Sequence, residues 1–189
     1  MDREKQGGKD MRDAPASAEQ KTVKRAMRGN VEAYGVLIRE QKEYLYRTAY
    51  LYSGNEEDAL EIVQETVLRA FRSIRNLKDP AVFRTWITRI LINVSKDYYK
   101  REQRYEAAAG LRIPQEKEGI SSEERMDLYS AIGSLPEKYR TVVILRYFDE
   151  LKLEEIAYIT GIPRGTVSVW LTRARQELRR ILKEGYLNE

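Results

Sequence analysis

From Thr22 onward, apolar residues recur at spacings of three and four, the period of a helix that buries one face. The spacing predicts a short helix over 22–28, broken by Gly29-Asn30. A longer helix follows, with Tyr34, Leu37, Ile38, Leu45 and Ala49 on one side, and Ser53-Gly54 ends it. Asn55 then reads as an N-cap with Glu56, Glu57 and Asp58 in the first turn, where the helix dipole favours negative charge. That helix carries Ala59, Ile62, Val63, Val67, Ala70 and Ile74 inward. Asp79-Pro80 reads as N-cap and first-turn proline. The helix it opens carries Phe83, Trp86, Ile87, Ile90, Leu91 and Val94, all expected in the core.

The period lapses over 105–120, where Gly110, Pro114 and Gly119 interrupt any long helix. Ser121 and Glu124 form a capping-box spacing that restarts helix. Leu135-Pro136-Glu137 starts another, with Val142, Val143, Leu145 and Tyr147. No strand-like alternation of useful length occurs. The expected fold is all-α: two small helical domains, at 20–104 and 122–184, joined by a flexible linker at 105–121, behind a disordered tail at 1–19. A domain as small as the second is only marginally stable alone.

The last stretch, LKLEEIAYITGIPRGTVSVWLTRARQEL over 151–178, reads as helix, tight turn, helix. Gly161 supplies the positive φ of the turn, and the small Ala157 lets the two helices cross closely. Val167, Leu171, Ala174 and Leu178 form the inward stripe of the second helix. Ser168, Val169, Thr172, Arg173 and Gln176 then face outward. This is the pattern of a helix-turn-helix, whose second helix enters the DNA major groove. Arg164, Thr166 and Arg175 lie near the helix start or on its flank, suited to phosphate.

The 189-residue chain carries 34 basic and 30 acidic residues, a net +4 that alone says little. Its distribution says more. Six bases face one acid, Glu177, between Pro163 and Lys183; six more lie between Arg84 and Arg104. Between Gly54 and Glu65 there are five acids and no base. Two basic segments and one acidic face suggest two polyanion contacts and one separate protein contact. Cysteine and histidine are both absent, which excludes disulfides, a thiolate nucleophile, a Cys/His zinc site and a Ser-His triad. No apolar run approaches the roughly 18 residues that cross a bilayer, and the N-terminus has no signal-peptide core.

Two stretches share one resemblance. NEEDALEIVQETVLRAF followed by FRTWITRILINVSKDYYKR, and then LPEKYRTVVILRYFDELKLEEIAYITGIPRGTVSVWLTRARQELRRIL, closely resemble the bacterial extracytoplasmic-function sigma factors of the sigma-70 family, the compact group with only regions two and four. The resemblance implies a subunit, not an enzyme and without cofactor, metal or small-molecule substrate. Such a protein binds core RNA polymerase through its clamp helices and flap and directs it to promoter DNA. It implies a cytoplasmic protein held inactive by an anti-sigma factor, often membrane-anchored, at the inner face of the membrane. By resemblance, Asp58, Glu61, Gln64 and Glu65 dock on polymerase. Asn93 lines the pocket for a flipped minus-ten base, with Arg69, Ser73 and Leu77 beside it. Lys96, Tyr98, Tyr99 and Lys100 attract and stack the opened strand. Ser168, Val169, Thr172 and Arg173 occupy the minus-thirty-five readout positions, and Arg146 matches a further DNA-contacting arginine. Three positions depart from the family pattern: Lys152 replaces a serine cap, Ser168 a basic residue, and Trp170 an arginine.

The competing reading is a stand-alone helix-turn-helix regulator with a sensing or dimerising N-terminal domain. An acidic helix followed by a basic aromatic one over 55–101 has no role in such a protein.

Overall fold

A computed structural model describes residues 17–109 and 123–187, with side chains described over 17–101 and 128–183. The structure is all-α: among the described residues there is no strand. Eight α-helices run α1 Ala18–Met27, α2 Val31–Ser53, α3 Glu56–Ser73, α4 Phe83–Ala109, α5 Glu123–Ser134, α6 Glu137–Val143, α7 Leu153–Thr160 and α8 Arg164–Leu187. Two short 3-10 turns, Ile74–Asn76 and Pro80–Val82, join α3 to α4.

The local chemistry of each boundary explains its position. Helix α1 begins four residues before the expected start, because Ser17 and Gln20 close a capping box ahead of it. Asn30 and Asn55 cap α2 and α3 through their side-chain oxygens, and Gly54 ends α2 in the left-handed region at φ 78°. Asp79 caps the 3-10 turn that leads into α4. The expected Ser121 cap of α5 and the tail over 1–16 lie outside the described residues, as do 110–121 of the expected linker. Where Lys152 stands in the cap position of α7, the side chain offers no acceptor. Only half the box forms, through Glu155 Oε2 accepting from the Lys152 N–H at 2.8 Å.

Helix α6 does not stop at Val143. It widens into a π-turn over Ile144–Phe148, with the Asp149 N–H bonding the Ile144 carbonyl at 3.1 Å. Glu150, directly after, holds φ 56° and is exposed. A non-glycine residue there costs about 1 kcal/mol. Glu150→Gly is therefore expected to raise the melting temperature by about 2–4 °C in differential scanning calorimetry, for about 1 kcal/mol gained. An unchanged or lowered midpoint would show that the left-handed backbone carries no strain.

Helices α2, α3 and α4 pack together with α1 across one end; α5 to α8 pack around α6 and α8. These two sets touch. Their buried residues join into a single apolar cluster running from Val23 to Ala174, and α7 packs on α4 while α5 packs on α2. The two expected helical domains thus share one continuous core in this structure.

Candidate nucleic-acid and protein interfaces

The first groove, about 500 Å³, lies between α3 and α4. Charged side chains of α3 and α4 pair along and across it. Glu61 bonds Arg101 at 2.7 Å; Glu65 bonds Arg69 at 2.6 Å, and Arg69 reaches Asp97 at 3.0 Å. The hydrogen bond that Arg69 donates to Glu65, then that to Asp97, pushes its guanidinium above its ordinary pKa. Asp58 accepts from the Tyr98 hydroxyl and from the Asn55 amide. Among the described residues, Asp58, Glu61 and Glu65 of the expected polymerase face have such partners and Gln64 has none. Beside this row lies another that charge counting passed over. Leu60, Leu68 and Phe71 share a row with Gln64 at spacings of three and four on the solvent side of α3, and they are 49%, 42% and 44% exposed. Three large apolar side chains left in water on one face mark a contact surface.

The second groove, about 440 Å³, sits where the 3-10 turns meet α4. Ser73, Leu77, Trp86, Arg89 and Asn93 line it, with Lys78 and Asp79 at the loop. Asn93, Ser73 and Leu77, three residues expected to form one pocket, do come together here. Arg69, the fourth, does not: it lines the first groove with Tyr98. Trp86, expected in the core, is half-buried beside Phe83 and forms part of the wall. The helix turns its Phe83, Ile87, Leu91 and Val94 stripe fully inward, so Trp86 and Ile90 fall at its margin.

The groove's remaining wall is Tyr158, from α7. It belongs to a seam between the two halves. The Arg89 guanidinium lies 5.2 Å from the Tyr158 ring centre. Arg140, on α6, stands 4.8 Å over the Tyr99 ring and donates to the Tyr52 carbonyl at 3.4 Å. Lys96 approaches Glu137 at 3.6 Å. Arg47 donates to the Phe148 carbonyl at 3.1 Å. Buried in the middle, the Thr48 hydroxyl donates to Asp149 Oδ1 at 2.9 Å. Among the described residues Asp149 Oδ2 has no hydrogen-bond partner, and Arg47 is 3.9 Å from the carboxylate. Burial pushes the Asp149 carboxyl up from 3.8 to about 6, against the opposing pull of Thr48, Arg47, Arg84 and Tyr44. So Lys96 and Tyr99, expected on opened DNA, face the other half of the molecule here. Lys100 is exposed.

In the last two helices Gly161 takes φ 72° at the turn, and Val167, Leu171 and Ala174 are buried as expected. Ser168, Val169, Thr172, Arg173 and Gln176 are exposed, as is Arg175, and Thr166 is half-buried. Arg164 is tied to Glu154 of α7 at 3.0 Å. Arg146 is turned back to donate to the Leu151 carbonyl at 2.9 Å, fixing the loop before α7. Trp170 packs half-buried against the core, with Lys138 5.9 Å from its ring centre. Arg173 and Arg175 have no ion pair among the described residues.

Comparison with known proteins matches this arrangement. The sigma-70 region 2 family matches residues 37–105, and sigma-70 region 4 matches 125–178. RNA polymerase sigma factor SigV of Bacillus subtilis is 35% identical over 75% of this chain and 86% of its own. ECF sigma factor SigW of the same organism is 30% identical over 87% of this chain and 96% of its own. The chain belongs to the extracytoplasmic-function sigma factors. Among solved structures, CnrH in complex with the cytosolic domain of CnrY aligns with TM-score 0.69 at 26% identity, over 89% of this chain and 99% of that one. The sigma factor RpoE of Bartonella quintana shares the fold, with TM-score 0.67 at 22% identity over 81% of this chain and 98% of its own. In this sigma factor region 2 contributes both grooves, and region 4 contributes Tyr158 to the second.

Sequence reasoning missed Leu60, Leu68 and Phe71, Arg89, and Tyr158. The first three had a signal: apolar residues lying off the buried stripe of a helix at helical spacing. Arg89 had one too, standing four residues before Asn93 on one face. Tyr158 had none, because its neighbours come from another part of the chain.

Proposed function

We propose that this sigma factor binds core RNA polymerase through the solvent face of α3, opens the minus-ten element into the Asn93 groove, and reads the minus-thirty-five element with α8. The observation that carries the reading is the separation of three unlike surfaces. One is apolar with acids. One is a concave groove with an amide, an indole and cations at its wall. One is a convex helix bearing free arginines. A base extruded from duplex costs a few kcal/mol, and hydrogen bonds to Asn93 with stacking on an aromatic wall offset that cost. The exposed Ser168, Val169, Thr172 and Arg173 are the side chains that can reach base edges in a major groove. Lys100 and Arg175 suit phosphate. The complex of CnrH with the cytosolic domain of CnrY supports a protein partner for this fold. We infer an anti-sigma factor anchored at the inner face of the membrane, the sigma factor itself being cytoplasmic. Among the described residues no helix is long and apolar enough to cross a membrane.

The deciding experiment mixes the purified chain with core polymerase on genomic fragments and sequences the transcripts. Initiation at defined sites sharing a minus-ten and minus-thirty-five element is the expected result. Duplex binding without polymerase-dependent initiation would leave the stand-alone regulator. Arg173→Ala is expected to remove about 1–3 kcal/mol of discrimination at one minus-thirty-five base pair. Arg175→Ala is expected to weaken all sequences alike and to lower the salt slope by about one. Filter binding across a salt series separates the two, and identical losses at every sequence would refute the division.

A further inference from the structure

Arg89 and Tyr158 meet at the mouth of the Asn93 groove, and no role above uses either. Arg89 stands on α4 one turn before Asn93 and one turn after Trp86, so the three side chains share a wall. It is exposed and has no carboxylate partner among the described residues. Asp79, the acid on this groove, is engaged in capping the Ala81 N–H at 2.9 Å. The contact Arg89 does make is with an aromatic face, at 5.2 Å. That face is not held by burial, since Tyr158 is 46% exposed. A guanidinium plane stacks on a phenol ring or a nucleobase by the same electrostatic attraction.

We propose that Arg89 is a strand-binding residue of this groove, stacking on a promoter base. We propose further that Tyr158 takes that base's place in the packed chain, so region 4 closes the minus-ten site of region 2. The proposal rests on the reading of the groove as the site for an unpaired base. Three features support it. The ring that closes the groove comes from the helix-turn-helix itself, so the same segment cannot lie on minus-thirty-five DNA and stay on Arg89 unless the promoter bends to bring both together. The other seam contacts, from Thr48–Asp149 to Lys96–Glu137, hold α7 where Tyr158 reaches Arg89. The contact is weak and exposed, as a plug that a strand must displace has to be.

The sequence holds two tryptophans, Trp86 and Trp170. In a Trp170→Phe background, Trp86 fluorescence reports entry of a strand beside it. Titration uses a random-sequence single-stranded DNA 12-mer and the full chain. Tyr158→Ala is expected to bind about two- to fivefold more tightly than the parent, the factor an exposed cation–aromatic contact supplies. Tyr158→Phe, which keeps the ring, binds as the parent does. Arg89→Ala binds more weakly, and adding Tyr158→Ala to it produces no tightening, because the two residues act on one another. Unchanged affinity in Tyr158→Ala, or tightening that persists without Arg89, overturns the inference. Asn93→Ala distinguishes this from failure of the groove reading. If Asn93→Ala leaves both affinity and quenching intact while Tyr158→Ala still tightens binding, the base-pocket assignment fails and the competition for Arg89 stands.

Discussion

Asp149→Asn is expected to stabilise the protein at neutral pH and to leave it unchanged near pH 4. The carboxylate is buried in the seam between the two halves, with one oxygen bonded to Thr48 and the other without a hydrogen-bond partner among the described residues. Burial outweighs the help of Thr48, Arg47, Arg84 and Tyr44, and the group's pKa rises from 3.8 to about 6. The sign follows from proton counting. Between pH 4 and 6 the packed chain holds a proton that the unfolded or opened chain has lost, so stability falls as pH rises through that window and is flat above it. A shift of this size corresponds to about 3 kcal/mol, present below the window and absent above it. Asparagine keeps the oxygen that accepts from Thr48 and carries no charge at any pH, and the Arg47 approach it forfeits is long and half-exposed. Thermal unfolding of wild type and variant from pH 4 to 8 tests this. The variant's midpoint is expected to exceed the wild type's by about 5 °C or more at pH 7.5 and to converge with it at pH 4. A variant less stable at pH 7.5, or a gap independent of pH, would show that Asp149 is held as a favourable ion pair. The consequence for function is direct. An ionised Asp149 is expected to weaken the seam at neutral pH, and the seam is what brings Tyr158 to the groove.

That seam marks the limit of what the chain discloses before folding. Element boundaries were legible because each has a local cause: Asn55 caps its own helix, Gly54 and Gly161 turn left-handed, and buried stripes repeat at helical period. The family was legible for the same reason, since its motifs are short and ordered along the chain. The packing of one half on the other was not. Thr48 and Asp149 are 101 residues apart, and neither stands in a pattern that marks it as buried. Arg140 reads as a solvent-facing helix residue yet is 8% exposed, its guanidinium collecting backbone carbonyls from Gly133, Leu135 and Tyr52. The π-turn after Val143 and the left-handed Glu150 leave no trace in propensity. The grooves were half legible. Asn93, Ser73 and Leu77, which the family resemblance placed at one pocket, converge, whereas Arg69 is drawn away by two carboxylates, Glu65 and Asp97, on either side of the first groove.

The same pairing changes which residues carry the affinity for polymerase. Sequence reasoning favours the acids of α3, because charge is the visible feature. In the folded chain Asp58, Glu61 and Glu65 already have donors in Tyr98, Arg101 and Arg69, so exchanging these for a partner's bases returns little. Leu60, Leu68 and Phe71 have no such prior engagement with charge and lie in water, apart from an edge-on contact of Phe71 with Tyr34. Burying apolar side chains at the centre of an interface supplies most of its energy, with charges at the rim adding steering and salt dependence. Leu68→Glu is therefore expected to weaken association with core polymerase by about 100-fold, or about 3 kcal/mol, in a competition assay. Its melting temperature should stay within a few degrees of wild type, because the side chain is 42% exposed and glutamate is an equally good helix former. Glu57→Gln, an exposed acid on the same helix, is expected to change affinity no more than about twofold and to flatten its salt dependence. If instead Leu68→Glu binds polymerase as wild type does while neutralising Glu61 and Glu65 abolishes binding, the carboxylates would be the grip and the apolar row a bystander. The ranking follows from one physical fact about α3: Asp58, Glu61 and Glu65 are already paired within the chain, and the exposed leucines and phenylalanine are not.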